Sequence, residues 1–257
     1  KNVLHSNIFN FAIDNEIPVE IIKDSMKDRL LLETVASWKP DLFLVAGWYH
    51  MIPKSWRKIA PAYGLHASLL PDYSGGAPLV WAMINGESKT GITLFQMDDG
   101  VDSGPIAGQR EEPILAEDTI ATLYDRIEQQ GLKLLSEVLP KLASGKIALS
   151  VQDESKRRVM PQRCPQDGAI DWNQDSKIIL RFIRAQTKPY PGAFTTLAEK
   201  KLHIWSARAY TPSEPSSEEN TPGILKRLRN GKYIVSCKKG AIELNEISFQ
   251  SQNFQGS

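Results

Sequence analysis

The run Asp41-Leu42-Phe43-Leu44-Val45-Ala46-Gly47 is continuously apolar between an acidic residue and a glycine. That is the pattern of a strand covered on both faces in a parallel sheet. Before it, Leu30, Leu31, Val35 and Trp38 recur at helical spacing from Lys27 until Pro40 stops them. Earlier still, Val3, Leu4, Ile8, Phe11 and Ala12 predict a helix over 1–16, and Ile17-Pro18-Val19-Glu20-Ile21-Ile22 predicts a short β-branched strand. Helices alternating with buried strands imply an α/β fold with a mainly parallel sheet, in which ligands bind beyond the carboxyl ends of the strands. The loops after Val45 and Leu65 are therefore where chemistry is expected. Because the chain opens on a helix, the first strand of such a sheet, and any phosphate loop after it, is expected to be absent.

Gly91–Met97 and Pro105–Gln109 predict two strands joined as a hairpin by the polar loop Asp98–Gly104, and Thr119–Leu142 predicts a long amphipathic helix capped by Asp118 and ended by Gly145. The proline-containing stretch 150–174 predicts a connecting arm, followed by a helix over 175–186. Short strand-like runs at Lys201–Ala207, Gly223–Arg227, Tyr233–Cys237 and Ala241–Ile247 predict a small β-rich barrel, with a mobile Ser/Pro/Glu-rich loop at Thr211–Thr221. Charge divides the same way. Residues 1–149 hold 14 basic and 19 acidic side chains, while the remainder holds 17 and 11. A basic second module could face phosphates, or could be a set of solvated lysines. Cys164 and Cys237 share no ligand motif, so neither a metal site nor a disulfide framework is expected. Without an apolar run near the roughly 20 residues a bilayer needs, or a signal peptide at the start, the chain is expected to be cytoplasmic and to have no membrane partner.

The residues densest in chemistry are 63–81, Tyr-Gly-Leu-His-Ala-Ser-Leu-Leu-Pro-Asp-Tyr-Ser-Gly-Gly-Ala-Pro-Leu-Val-Trp, and 98–105, Asp-Asp-Gly-Val-Asp-Ser-Gly-Pro. His66 lies near a strand end before a loop rich in proline and glycine, which would expose its imidazole. The three carboxylates of the second stretch read equally well as turn formers. His203, alternating with Leu202 and Ile204, reads as a structural strand residue, and nothing around His5 suggests chemistry.

Together these residues resemble the folate-dependent formyltransferases, a family whose pattern is Asn-x-His-x-Ser-Leu-Leu-Pro-x-Tyr-Arg-Gly, then Pro and Trp, then Gly-x-Thr, then Asp-x-Gly-Pro. The matches are His66, Ser68, Leu69, Leu70, Pro71, Tyr73, Gly75, Pro78, Trp81, Gly91, Thr93, Asp102, Gly104 and Pro105. The resemblance extends to Trp48-Tyr49-His50-Met51-Ile52-Pro53, to Asp171-Trp172 and to Pro189–Phe194, and so covers nearly the whole chain. It implies a Rossmann-like formyltransferase domain over 1–150, a connecting arm and helix over 151–200, and an OB-like, barrel-like domain over 201–257. The co-substrate would be 10-formyltetrahydrofolate, without a metal.

The resemblance also assigns roles. His66 is the expected acid/base, since an imidazole of ordinary pKa about 6.5 can take and return a proton at neutral pH, and Asp102 would orient it or relay the proton. Trp48, His50, Met51, Ile52, Pro53, Asp98, Asp99 and Gly100 are expected on the folate side, and Tyr73, Gly75, Pro78 and Trp81 on the acceptor side. Two positions depart from the pattern, with Gly64 where the family has its catalytic Asn and Ser74 where it has Arg. Losing one oxyanion donor typically costs about 10²–10³ in rate. Three explanations are open: another donor, with Gly64, Ser68, Ser74 or a backbone N–H as the candidates, takes over; the reaction is altered; or the chain binds folate without turnover. An Asn at 64 tests whether the donor is missing.

Three functions follow: an N-formyltransferase acting on a small-molecule amine, first a nucleotide-linked amino sugar; a methionyl-tRNA formyltransferase; and a folate-binding homologue impaired in catalysis. Lys226-Arg227-x-Arg229 and Lys238-Lys239 are basic clusters near the end of the chain, the rest of the Lys and Arg being spread, a weak phosphate footprint. Ser74 in place of the motif Arg argues for an acceptor unlike the usual ones.

Overall fold

A computed structural model of the chain describes residues 3–22, 25–48, 50–212 and 221–249. The chain divides into two compact units, Lys1–Tyr63 and Gly64–Ser257. The first contains α1 (Val3–Asp14), α2 (Arg29–Ser37), β1 (Phe43–Val45) and a single turn, α3 (Lys54–Arg57). Asp28 starts α2 by accepting the Leu30 and Leu31 amides at 2.9 and 3.4 Å, as an N-cap carboxylate does. Trp56 is buried, stacks at a tilt 5.9 Å from Phe43 and donates its indole N–H to Met26 O at 2.7 Å.

Two expectations fail in this unit. Residues 17–22 form no strand, and Ile17 and Ile21 are exposed; apolar β-branched residues without a neighbouring strand gain nothing from an extended ladder. The run at 41–47 does form a strand, but one of three residues with Leu44 exposed, so it is not covered on both faces.

The second unit opens with the end of β2 (Ala62–His66) and continues through β3 (Ser74–Gly75), α4 (Pro78–Asn85), β4 (Lys89–Gln96), β5 (Ile106–Pro113) and α5 (Ile120–Ala143). Strand β4 lies between β2 and β5 and pairs with β5 antiparallel, from Lys89↔Pro113 to Phe95↔Ile106. The sheet is therefore mixed, which corrects the expectation of a mainly parallel one. The reason is local: the polar loop 98–104 is short enough to return the chain as a hairpin, where a parallel neighbour would need a crossover of a dozen residues or more. Helix α5 lays Ile120, Leu123, Ile127, Leu134 and Val138 into the core. Its approach to the sheet is close, since a Cβ on Gly108 would lie 2.9 Å from Leu134 and one on Gly131 would lie 3.0 Å from Ile92.

The cap of α5 is Thr119, one residue later than expected. Asp118 does different work: its carboxylate accepts from Leu115 N–H at 2.7 Å, the Thr122 hydroxyl at 2.9 Å and Arg126 Nη2 at 2.6 Å, while Arg126 Nε reaches Glu112 at 2.7 Å. Burial alone would push the Asp118 pKa up, but these donors hold it below the usual carboxylate value.

Beyond α5 come β6 (Val159–Met160), α6 (Ser176–Gln186), β7 (Ala193–Leu197), β8 (Lys200–Tyr210), β9 (Leu225–Arg227), β10 (Tyr233–Ser236) and β11 (Ala241–Phe249). The last five form one sheet in the order β7-β8-β11-β10-β9, every pair antiparallel. Helix α6 packs Ile179, Leu180 and Ile183 against Ala193, Ile204, Val235 and Ile242. The C-terminal part is thus β-rich as expected, a half-barrel rather than a closed OB-like barrel. The loop expected to be mobile falls largely on residues 213–220, outside the described residues.

Candidate active site

His66 is the last residue of β2. Its Nε2 lies 2.8 Å from Tyr73 O. A carbonyl only accepts, so Nε2 carries the hydrogen and a neutral ring has its lone pair at Nδ1. That nitrogen is 3.5 Å from Asp102 Oδ2, and the two side chains are 11% and 19% exposed, sheltered yet reachable. Asp102 Oδ2 also accepts the Gly75 amide at 2.8 Å. The strand end, the β3 turn and the β4–β5 loop thus converge on one proton-handling pair.

The loop between His66 and β3 is held from inside. Thr93 donates its hydroxyl to Ser68 O at 2.6 Å and accepts from Leu70 N–H and Gln109 Nε2 at 3.2 and 2.8 Å, using all of a hydroxyl's capacity. Buried Ser68 donates to Asp72 O at 2.7 Å, and fully buried Ser74 directs its hydroxyl to Arg158 O at 3.4 Å. Both hydroxyls offered as oxyanion donors are therefore engaged away from the pair. Tyr73, placed on the acceptor side by resemblance, is sunk into the protein, its phenol donating to Glu87 at 2.6 Å and accepting from Asn85 at 3.1 Å. Burial and then Glu87 push its pKa up. The Arg158 guanidinium covers the Tyr73 ring at 4.5 Å and clamps Asp72 and Glu87.

At Gly64, a Cβ would sit 3.0 Å from the Phe95 ring and 3.5 Å from Met97. The space a side chain at 64 would use is filled by Phe95, itself 2% exposed. Gly64→Asn alone is therefore expected to gain no rate, and to lower unfolding stability by about 1–3 kcal/mol, the usual cost of overpacking. Denaturant unfolding beside a transfer assay checks both, and a faster, equally stable variant contradicts it.

The remaining candidates are distributed. Gly75 has φ +91°, and a Cβ there would lie 2.4 Å from Met160 O, so only glycine allows β3 to pair with β6 while presenting its amide to Asp102. Pro78 opens α4, and Trp81 donates its indole N–H to Pro161 O at 2.9 Å under the Arg163 guanidinium at 4.6 Å. Asp98 accepts Gly100 N–H at 2.9 Å and the Ser103 hydroxyl at 2.7 Å, the turn-forming role, and Asp99 is exposed beside it. In the first unit, the Trp48 and His50 rings meet edge-on at 5.4 Å, Trp48 and Met51 are exposed, Ile52 is buried and Pro53 precedes α3. Tyr49 of that loop lies outside the described residues. Near α4, Ala77, Val80, Gln162, Arg163 and Tyr190 help line a cavity of about 360 Å³, a size ordinary for a small-molecule site. Among the described residues no group of three or more His, Cys, Asp or Glu could hold a metal ion, and no helix is long and apolar enough to cross a membrane.

Comparison with known proteins is consistent across the chain. The sequence model of a family described as formyl transferase matches residues 10–139, and that of the formyl transferase C-terminal domain matches 164–255. Among solved structures, HypX from Aquifex aeolicus in complex with tetrahydrofolic acid superposes with a TM-score of 0.71 at 22% identity, covering 98% of this chain and 43% of that one. The chain thus spans less than half the length of HypX. Methionyl-tRNA formyltransferase from Clostridium thermocellum gives 0.64 at 23% identity, with 97% and 95% covered. The N-formyltransferase from Helicobacter canadensis in complex with folinic acid and dTDP-3-aminofucose gives 0.64 at 18% identity, with 96% and 83% covered. At these identities the likeness is one of fold.

Proposed function

The chain belongs to the formyl transferase family, and from that premise we propose that it moves a formyl group from 10-formyltetrahydrofolate to the primary amine of a nucleotide-linked amino sugar, in the cytoplasm. The observation that carries the reading is the His66–Asp102 pair, with Nε2 tied to Tyr73 O and Nδ1 left facing the carboxylate. With one ring nitrogen committed, proton traffic has a single open position.

The reaction needs that position twice. The amine nitrogen attacks the formyl carbon, forming a C–N bond and placing negative charge on the formyl oxygen. Nδ1 takes the proton released by the attacking nitrogen, and Asp102 accepts the resulting Nδ1–H, keeping the ring oriented. The bond from the formyl carbon to the folate N10 then breaks, and N10 takes the proton back. The amine has become a formamide, the folate has gained N10–H, and the pair ends as it began. With Ser68 and Ser74 engaged elsewhere and both ring N–H groups committed to Tyr73 O and Asp102, the oxyanion's partner is a backbone N–H.

The cavity beside α4 supports a small-molecule acceptor. Transfer to methionyl-tRNA is the second reading, favoured by the excess of 17 basic over 11 acidic residues beyond position 149 and by the fold shared with that enzyme. Release of tetrahydrofolate, followed spectroscopically across a panel of amines and salt concentrations, separates them. An amino-sugar nucleotide is expected to be consumed at a rate nearly independent of salt, whereas a tRNA acceptor gives activity falling steeply with ionic strength. Folate binding without release from any amine leaves the impaired homologue.

A further inference from the structure

Asp102 occupies an unusual backbone conformation, with φ +51° in the left-handed region. Among residues other than glycine the region is uncommon, Asp and Asn entering it most readily, so its neighbours help decide whether it is held. Part of what imposes it is visible at Gly104, where a Cβ would lie 1.7 Å from Gln96 O, so the turn is pressed against β4. The rest comes from the segment after Ser150, which the sequence presents as a connector. Ser150 and Ile106 exchange amide hydrogen bonds at 2.9 and 2.8 Å, fixing the start of that segment beside the loop. Two residues on, buried Gln152 gives both hydrogens of its amide to the turn, to Asp102 O at 2.8 Å and Gly104 O at 2.6 Å. Because two carbonyls can only accept, the orientation of the amide is fixed. Gln152 Oε1 is buried with no protein partner, so the two bonds to the turn are what hold this side chain in place.

We propose that Gln152 is a positioning residue of the active site, acting through Asp102. It braces the turn from behind, so that the carboxylate stays on the Gly75 amide and within reach of His66 Nδ1. This rests on the role given to Asp102 above, but its consequence is local and can be read without turnover. Removing the two donors lets the turn relax towards ordinary φ and carries Asp102 Oδ2 off Gly75 N–H. Displacements of about 1 Å remote from the reacting atoms can cost about 10²-fold in rate.

The test compares Gln152→Leu, of similar size without donors, with the unaltered chain, in the Asp102 and the Asp102→Asn backgrounds. In the Asp102 background, kcat is expected to fall about 10- to 100-fold, with KM for the formyl donor within about twofold. In the Asp102→Asn background, Gln152→Leu is expected to cost nothing further, because the group it positions is no longer a carboxylate. Independently of activity, amide exchange by NMR should show Gly75 N–H accelerated at least about tenfold, while Gly76 and Ser74, bonded to Met160 O and Arg158 O, stay protected. Gln152→Asn, too short to span both carbonyls, should fall between, and serves if the leucine variant does not fold. Unchanged Gly75 exchange, or the same loss of kcat in both backgrounds, overturns the proposal. If no amine is formylated by the unaltered chain, the transfer reading fails while the exchange measurement still decides the role of Gln152.

Discussion

Replacing His66 with alanine is expected to lower kcat for formyl transfer by about 10²–10⁴-fold, the range over which a positioned acid/base acts. The ring is the one group at the site with a nitrogen open for proton exchange. Its other nitrogen is spent on Tyr73 O, the Asp102 carboxylate accepts from Gly75, and the serine hydroxyls of the motif point elsewhere. The melting temperature should fall modestly, since the ring is 11% exposed and its loss leaves Tyr73 O without this donor. Steady-state kinetics with a saturating amine checks the first part, and calorimetry the second. Turnover within tenfold of the unaltered chain would remove His66 from the mechanism.

The largest loss of stability is expected at Arg126. Its guanidinium bonds Glu112 and Asp118, whose side chains are 8% and 4% exposed, and the network ties the end of β5 to the first turns of α5. Arg126→Ala leaves two shielded carboxylates without their cation, a change that typically costs about 3–5 kcal/mol. For a unit of this size that is a fall in Tm of about 6–20 °C. The pH dependence follows the same logic. A carboxylate held below its ordinary pKa stabilises the fold fully above the unfolded value and loses that contribution as pH falls through the lowered native one. Asp118 is held low by Arg126 after overcoming its own burial, so the native chain should keep this contribution until strong acid. Without Arg126 only the Leu115 and Thr122 donors oppose burial, so the Asp118 pKa moves up and the variant should lose less stability than the native chain as pH is lowered. A pH series of thermal melts on both proteins tests this; parallel curves would mean the network contributes little.

Much of this was legible in the sequence, for physical reasons that differ by position. His66, Asp102 and their glycine and proline frame lie within about forty residues and are fixed by turns whose chemistry is local. The β4–β5 hairpin was readable because its loop consists of turn formers. The direction of the whole sheet was not, because an apolar run reports burial and not the direction of its neighbour. Residues 17–22 have strand-like composition yet form no strand with any of the described residues, since pairing depends on what lies alongside. The engagement of Ser68 and Ser74 was hidden because the motif gives residue type and not rotamer. Gln152 and Arg158 were missed because their partners Asp102 and Asp72 are 50 and 86 positions away. The only sequence signal was a polar stretch after a helix, which reads as a connector.

The most direct measurement is the fate of a ¹³C-labelled formyl carbon on 10-formyltetrahydrofolate, followed by NMR after adding enzyme and a nucleotide-linked amino sugar. The account predicts that the label appears as the formamide of the amine, one per tetrahydrofolate released, and that His66→Ala slows its transfer by about 10²–10⁴-fold. Label that stays on the folate, appears as free formate, or moves equally fast in the His66→Ala variant would contradict it.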